Sequence, residues 1–439
     1  MSALDPQREF AVEVVRKLQH AGFRALWNGG CVRDFLMGRT PKDYDVATDA
    51  RPDAVRELFG HRRTLAVGAN FGVIIVVGSK ASGNVEVATF RREGPYLDGR
   101  RPEHVDFTGP EEDARRRDFT INGMFYDPIK EQVHDYVGGE RDLAAGVVRA
   151  IGRATDRMTE DKLRMLRAVR FAATLDFQLD AATADAVRAM AREIHVVSAE
   201  RIAQELKRML VDPHRRRAME LARETDLLLE VLPELRPILE APVPTAGARL
   251  RHSNWETALR RLQLLEQPTF ELATAALFAG VPDLSAAEKS AQGKSALARA
   301  FGKRLRLSND ETDAIEWLLV HLPEVLQSRT KSLAQLKRML AHPLARDLLS
   351  LARVDRLAAD GELSAVMHCE ELLRNTPLEK LAPPPLVTGD DLIALGYQPG
   401  KKFRQVLDAV RDAQLNDEIS TQEAAIALAV RLLGDTSSN

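Results

Sequence analysis

Along the first 150 residues the spacing of apolar positions changes repeatedly between a helical period and a strand period. VRKLQHAGF and CVRDFLMG read as helices, whereas ALWNGG, DYDVATD, GVIIVVG and NVEVATFRR read as short strands bounded by Gly, Asp and Arg. This predicts an N-terminal α/β domain with a small mixed sheet. From about residue 154 the strand signals nearly vanish, and TEDKLRMLRAVRFAATL, ATADAVRAMAREI and SAERIAQELKRMLV carry apolar residues at helical spacing. Ser198 and Thr159 sit where helix caps belong, with acids following Thr159. The chain as a whole is therefore expected to be α+β, a mixed head followed by an all-α remainder. Pro-rich breaks at LEAPVPTAG and LAPPPLVTGDD mark boundaries near residues 240 and 384, and no repeat of fixed period is evident. One stretch, REGPYLDGRRPEHVDFTGPEEDARRRD, has no periodicity and reads mostly as a mobile loop of the functional kind.

Composition narrows the class. With 439 residues and 45% hydrophobic positions, the chain can fill two to four domain cores. It has no long uncharged apolar run, and MSALDPQREF lacks the basic start and apolar core of a signal peptide, so the cytosol is the expected address, with no membrane contact. The two cysteines, Cys31 and Cys369, form no CxxC pair, which argues against a disulfide framework or structural zinc site; Cys31 reads as a small buried apolar residue. A net charge of −2 excludes a uniform positive coat for indiscriminate nucleic-acid binding. Local arginine clusters matter more: Arg91-Arg92, Arg100-Arg101, Arg115 to Arg117, Arg215 to Arg217, and the spaced set Arg164, Arg167 and Arg170. Most such runs are better read as solvated helix faces, the spaced set at 164 to 170 being the exception.

Candidate chemistry begins at KDYDVAT. If this is a strand, Asp43 and Asp45 at i and i+2 point to one face while Tyr44 points to the other. Two carboxylates held that close repel unless a cation sits between them, and a hard divalent ion such as Mg²⁺ suits oxygen ligands completed by phosphates. Asp-x-Asp alone also fits a surface turn or strand end. Upstream, ALWN runs through Gly29 and Gly30 into a helix carrying Arg33. Glycines permit close approach of backbone to phosphate, a helix N-terminus supplies free N–H groups, and Arg33 adds a planar cation. Glu86 in VEVATF is either a third carboxylate or an ordinary exposed strand residue. Downstream, Asp161, Arg164, Arg167 and Arg170 recur every three residues and would form one drifting stripe of a helix.

The string WNGGCVRDFLMGRTPKDYDVAT resembles the signature of the class II CCA-adding enzymes and bacterial poly(A) polymerases, within the nucleotidyltransferase superfamily that includes DNA polymerase β. The likeness is strong over about residues 25 to 210 and weaker beyond. It implies that Asp43 and Asp45 bind the catalytic metal ions, that Glu86 is the third catalytic carboxylate, and that Gly30 and Arg33 contact the nucleotide, with Gly29 shaping the turn. RRRDFTINGMFYDP is similar to the family's RRDFTINAM motif, which assigns Arg117 to the nucleotide and Asp118 and Asn122 to the ribose or to the joint between head and neck; a charged strand-helix junction remains an alternative for Asp118. TEDKLRMLR is similar to the EDxxR motif, implying that Asp161 and Arg164 read the Watson–Crick edge of the incoming base. An acceptor beside a donor matches cytosine or adenine and mismatches uracil or guanine. Arg167 and Arg170 then reach the triphosphate or stiffen the pocket. REGPYLDGRRPEHVDF resembles the loop needed for switching to adenine.

The resemblance implies a nucleotidyltransferase head over 1–150, a neck with base-recognition helix and RNA-binding region over 151–240, a helical body over 241–383 and a tail over 384–439. FELATAALFAGVPD is similar to the place where some relatives have LLHDIGK, but Phe278, Ala279 and Gly280 stand where a His-Asp pair is needed, so a degenerate HD-like body without hydrolase activity is expected and His252 is a leftover or cap. TGDD near residue 388 reads as a helix cap, and Lys401, Lys402 and Arg404 either touch RNA backbone or form a solvated face. The favoured expectation is addition of CCA to tRNA from CTP and ATP with Mg²⁺. Poly(A) polymerase or a dedicated A-adding enzyme shares nearly every motif, a non-catalytic RNA-binding descendant would not need all of them, and a small-molecule nucleotidyltransferase would leave the long helical half unexplained. Oligomeric state is not legible.

Overall fold

The computed structural model describes residues 5–68, 72–93, 105–240, 254–282, 290–398 and 400–434. It divides into two compact units, residues 1–233 and 234–439.

The first unit opens with α1 (Pro6–His20), whose N-terminus is capped by the Asp5 carboxylate accepting from the Gln7 and Arg8 amides, with Pro6 at the first helical position. Its apolar stripe, Phe10, Ala11, Val14, Val15 and Leu18, is buried. After it the chain forms β1 (Ala25–Asn28), α2 (Gly30–Leu36), β2 (Asp45–Thr48), α3 (Pro52–Phe59), β3 (Thr64–Gly68), β4 (Val73–Val77) and β5 (Asn84–Thr89). Next come β6 (Arg91–Glu93), β7 (Val105–Phe107), α4 (Pro110–Arg115), β8 (Phe125–Asp127), β9 (Gln132–His134) and α5 (Gly139–Ala144). Seven strands form one sheet in the order β3-β4-β5-β2-β1-β8-β9. The β2–β5 pair is parallel and the other neighbours are antiparallel, so the sheet is mixed as expected.

Alternation across this sheet makes two cores. One face joins Trp27, Val46, Ile74, Val76, Val85 and Val87 to the stripe of α1; each such side chain contributes about 1.5–3 kcal/mol on full burial. The other face carries Leu26, Ala47, Phe90, Ala114 and Phe125. Register aligns polar residues on that second face: Trp27 pairs with Val46, which places Asn28 opposite Asp45, and Asp45 pairs with Glu86. Paired residues share a face, so Asn28, Asp45 and Glu86 form a polar row where the apolar cover ends.

Two expectations change here. Asp43 lies in a bend, and the strand begins only at Asp45; buried Tyr44, packed 4.7 Å from Trp27 and bonded to Asp5 at 3.3 Å, pins the chain before it enters the sheet. The described flanks of the aperiodic stretch carry regular structure that composition did not suggest: β6 and β7 pair antiparallel and Pro110–Arg115 is helical. Residues 94–104, at the centre of the loop, lie outside the described residues.

After β10 (Val147–Val148) come α6 (Ala154–Glu160), α7 (Leu163–Thr174), β11 (Gln178–Leu179), α8 (Ala181–Met190), α9 (Ala199–Val211) and α10 (Arg215–Glu224). A short parallel pair of β10 with β11 interrupts the otherwise helical region. Thr159 does not cap a helix: it lies inside α6, which ends at Glu160, and α7 starts at Leu163. Ser198 does occupy the N-cap of α9, without a side-chain hydrogen bond.

Every named element among the described residues of the second unit is a helix. Thr388 and Asp391 form a capping box at the start of the helix Gly389–Ala394, as TGDD suggested. Phe278 and Ala279 close the helix Phe270–Phe278, where the carbonyls of Phe278, Ala279 and Val281 accept from Lys294 Nζ. His252 lies outside the described residues. No described helix is long and apolar enough to cross a membrane.

Candidate active site

A cavity of about 570 Å³ in the first unit gathers most of the singled-out residues: Gly29, Gly30, Arg33, Asp45, Arg117, Asp118, Asn122, Asp161, Arg164, Arg167 and Arg170 all line it. Its size is that of a small-molecule site. Asp43 and Glu86 are not on its wall; both are exposed and act on Asp45 electrostatically from beside it.

The floor is built by the end of β1. Gly29 has φ of 70°, a conformation L residues rarely adopt, and a Cβ there would stand 3.1 Å from Arg117 Nη1. The chain then enters α2 at Gly30, so the turn and the first free amides of the helix face the cavity. Arg33, buried on this first turn, donates from Nη1 to Asn122 Oδ1 at 2.8 Å and from Nε and Nη2 to Asp34 at 2.8 and 2.7 Å. Cys31 is buried behind the turn, and burial pushes its thiol up to about 12, which leaves it an inert small residue.

The carboxylate end is electrostatically strained. Burial, then the charges of Glu86 and Asp43, push the Asp45 carboxyl up to about 6, and Arg117 only partly counters them. Among the described residues no group of three His, Cys, Asp or Glu side chains is spaced to hold a metal ion unaided. Asp45 opens to the cavity with the exposed carboxylates of Asp43 and Glu86 beside it, and acids grouped in this way are donors for a divalent ion whose shell is finished by ligand oxygens. The residues present therefore fit such an ion.

Arginines make up the rest of the wall. Arg117 and Arg116 both fork onto Asp113, a buried acid on α4 that was not singled out in the sequence. Burial works against the Asp113 charge, but the two guanidiniums outweigh it and hold the carboxyl below its ordinary value. Asp118 is buried in the same way and is held low by Arg167, which donates from Nε at 2.9 Å and Nη2 at 2.5 Å. Asp118 also accepts from Asn122 Nδ2 at 3.2 Å, so Arg33, Asn122, Asp118 and Arg167 form one chain from the head to α7. Arg170 stacks 4.0 Å above Phe171 and pairs with buried Glu205 of α9.

The stripe expected at 161 to 170 is broken. Asp161 is the extended residue between α6 and α7, not a position on the arginine helix. Its carboxylate accepts from Arg201 Nη1 at 3.2 Å and Nη2 at 2.7 Å and from the Leu163 amide at 3.0 Å. Arg164 turns back to Glu160 and to the carbonyls of Arg157 and Arg116, at 2.5, 3.1 and 3.1 Å. Three of its five N–H groups are thus committed and two remain. Asp161 and Arg164 still line one cavity, the first from the break between the helices and the second from the first turn of α7. Asn28, Arg116, Arg201 and Arg208 also line it. Arg201 lay in a helix that periodicity showed, but its pairing with Asp161 across 40 residues was not legible in the sequence.

Three family models match the chain: the poly(A) polymerase head domain over 26–149, the RNA- and SrmB-binding site of polymerase A over 176–239, and the tRNA nucleotidyltransferase domain 2 over 290–430. The CCA-adding enzyme of Lactobacillus helveticus is 29% identical over 95% of both chains. That of Bacillus subtilis is 43% identical over 50% of this chain and 55% of its own. Among solved structures, the Bacillus stearothermophilus CCA-adding enzyme in complex with CTP superposes with a TM-score of 0.75 at 27% identity, covering 99% of this chain and 100% of that one.

Proposed function

Because the chain belongs to the family of CCA-adding enzymes and bacterial poly(A) polymerases, we propose that it adds C, C and A to the 3′ end of tRNA from CTP and ATP, in the cytoplasm and with Mg²⁺. The observation that carries this reading is one cavity holding a carboxylate end, a glycine turn and a ring of arginines that includes the Asp161/Arg164 pair.

Asp43 and Asp45 hold Mg²⁺ in this reading, with Glu86 the third carboxylate. Bound there, the ions lower the pKa of the RNA 3′-hydroxyl and neutralise charge on the triphosphate and departing pyrophosphate. The protein's own contribution is position and charge. The Gly30 amide at the start of α2 and the cations Arg33 and Arg117 hold phosphate oxygens, while the Gly29 amide is spent on the Met124 carbonyl; Arg167 and Arg170 keep α7 rigid against Asp118 and Glu205. Asp161 and Arg164 select the base. Arg201 locks the Asp161 carboxylate as an acceptor, and the two remaining Arg164 N–H groups are donors. Cytosine and adenine offer an amine donor beside a ring-nitrogen acceptor, the complement of that pair. Uracil and guanine offer the reverse and leave buried groups unpaired.

The test is incorporation. tRNA transcripts ending before CCA, after C and after CC are each given CTP or ATP alone with Mg²⁺. The expected result is CMP on the first two and AMP on the third; AMP on every end with no CMP would make the chain an A-adding enzyme instead.

A further inference from the structure

Asn28 stands at the junction of the carboxylate end and the arginine ring. Its side chain is buried, and its Oδ1 accepts from Arg117 Nη2 at 2.8 Å. A guanidinium only donates, so this bond fixes which way the amide faces. The other end, Nδ2, is buried with no hydrogen-bond partner. A native buried donor without a partner is costly and rare, and it calls for an acceptor that the resting arrangement does not supply. Sheet register names the neighbour: with Trp27 paired to Val46, Asn28 is opposite Asp45 on the same face, in a row continued by Glu86. Arg117, on the far side of the amide, is anchored from behind by Asp113 at 2.9 and 3.1 Å, which leaves Nη1 beside the Gly29 turn.

We propose that Asn28 is a positioning residue that ties the two halves of the reaction together: Oδ1 sets Arg117 over the glycine turn, and Nδ2 is held for the Asp45 carboxylate when that group turns to take its metal ion. The inference rests on the nucleotidyl-transfer reading of the site. It predicts that one side chain indexes the phosphate-facing cation to the metal-facing acid. Positioning partners behind metal ligands commonly carry about 10–100-fold in metal affinity or activity.

Two variants separate this from a merely structural role. Asn28→Asp keeps an acceptor of the same shape for Arg117 and removes the N–H; it should lower kcat at least about tenfold while leaving KM for CTP within about twofold. Asn28→Ala removes both contacts and should weaken binding of Mn²⁺ alone, read from the spin-resonance signal of the free ion, by about tenfold or more, with the far-UV spectrum unchanged. Wild-type kcat in Asn28→Asp, or wild-type Mn²⁺ affinity in Asn28→Ala, would overturn the proposal. A wild-type protein that bound no Mn²⁺ would overturn the metal site and this inference with it, whereas Mn²⁺ binding without nucleotide incorporation would count against the functional reading and not against Asn28.

Discussion

The two ends of the cavity are held in opposite ways. At the arginine end nearly every charge is already answered: Arg167 by Asp118, Arg170 and Arg208 by Glu205, Arg201 by Asp161, Arg164 by Glu160 and two carbonyls. At the carboxylate end the charges repel, Asp45 is pushed up to about 6, and Asn28 keeps an unanswered donor. Groups that must keep one orientation to read a base are neutralised by the protein itself, while groups that must accept a cation and phosphates are left short of partners. Rigidity and strain are thus divided between the neck helices and the strand row.

Breaking the strained end should have the largest effect on activity and little on folding. Changing Asp43 and Asp45 together to Ala is expected to lower nucleotide incorporation by about 10³-fold or more, a loss above about 4 kcal/mol of transition-state stabilisation, while the melting temperature stays within a few degrees of wild type or rises. Retained incorporation in a primer-extension assay would remove the metal role from these residues. Breaking the satisfied end should do the reverse. Asp118→Ala removes the buried carboxylate that the half-buried Arg167 guanidinium forks onto and leaves it only Glu205 at 3.9 Å, and stability should fall by about 3 kcal/mol in denaturant melts. A change below about 0.5 kcal/mol would mean that the pair is solvated and the neck end is not held as described.

A finer test lies at the boundary between holding and reading. Asp161→Asn keeps the shape of the acceptor but lets an amide present either a donor or an acceptor to the base. Discrimination of CTP against UTP should fall about tenfold in kcat/KM, near 1.4 kcal/mol. Unchanged discrimination would move base selection to Arg164 alone.

The same division explains what was legible in the sequence. Glycines, strand alternation and charged residues inside recognisable strings pointed to Gly29, Gly30, Arg33, Asp45 and Arg117; the first three are set locally by a turn and a helix start and Asp45 by the start of a strand, whereas Arg117 is held by Asp113 and Asn28. Glu86 could be placed beside Asp45 only by the parallel pairing of β2 and β5. The three-residue spacing from Asp161 to Arg170 looked like one helix face because periodicity cannot see a break; Asp161 adopts an extended conformation and a new helix starts at Leu163. The answering partners Asp113, Glu205 and Arg201 stayed invisible for a different reason. Each is an ordinary charge on an amphipathic helix until tertiary packing brings it to its partner.

The smallest expected effect tests the strain directly, in metal-free protein. Asp45 has its carboxyl raised in the folded state from 3.8 to about 6, by burial and then by Glu86 and Asp43. Between those values the folded protein binds more protons at this position than the unfolded chain, so stability must fall as pH rises through the window. Above it the cost of the ionised group is fully present. The shift would be worth more in a sealed site, but water at an open cavity screens it, and about 1 kcal/mol is the expected size. Asp45→Asn removes the titrating group, so in EDTA the variant and wild type should melt together near pH 4, and the variant should melt higher above pH 6. Added Mg²⁺ should then close the gap, because it stabilises the wild-type carboxylate and not the amide. If the two proteins melted in parallel from pH 4 to 8, the carboxylate end would carry no strain and the contrast with the arginine end would disappear.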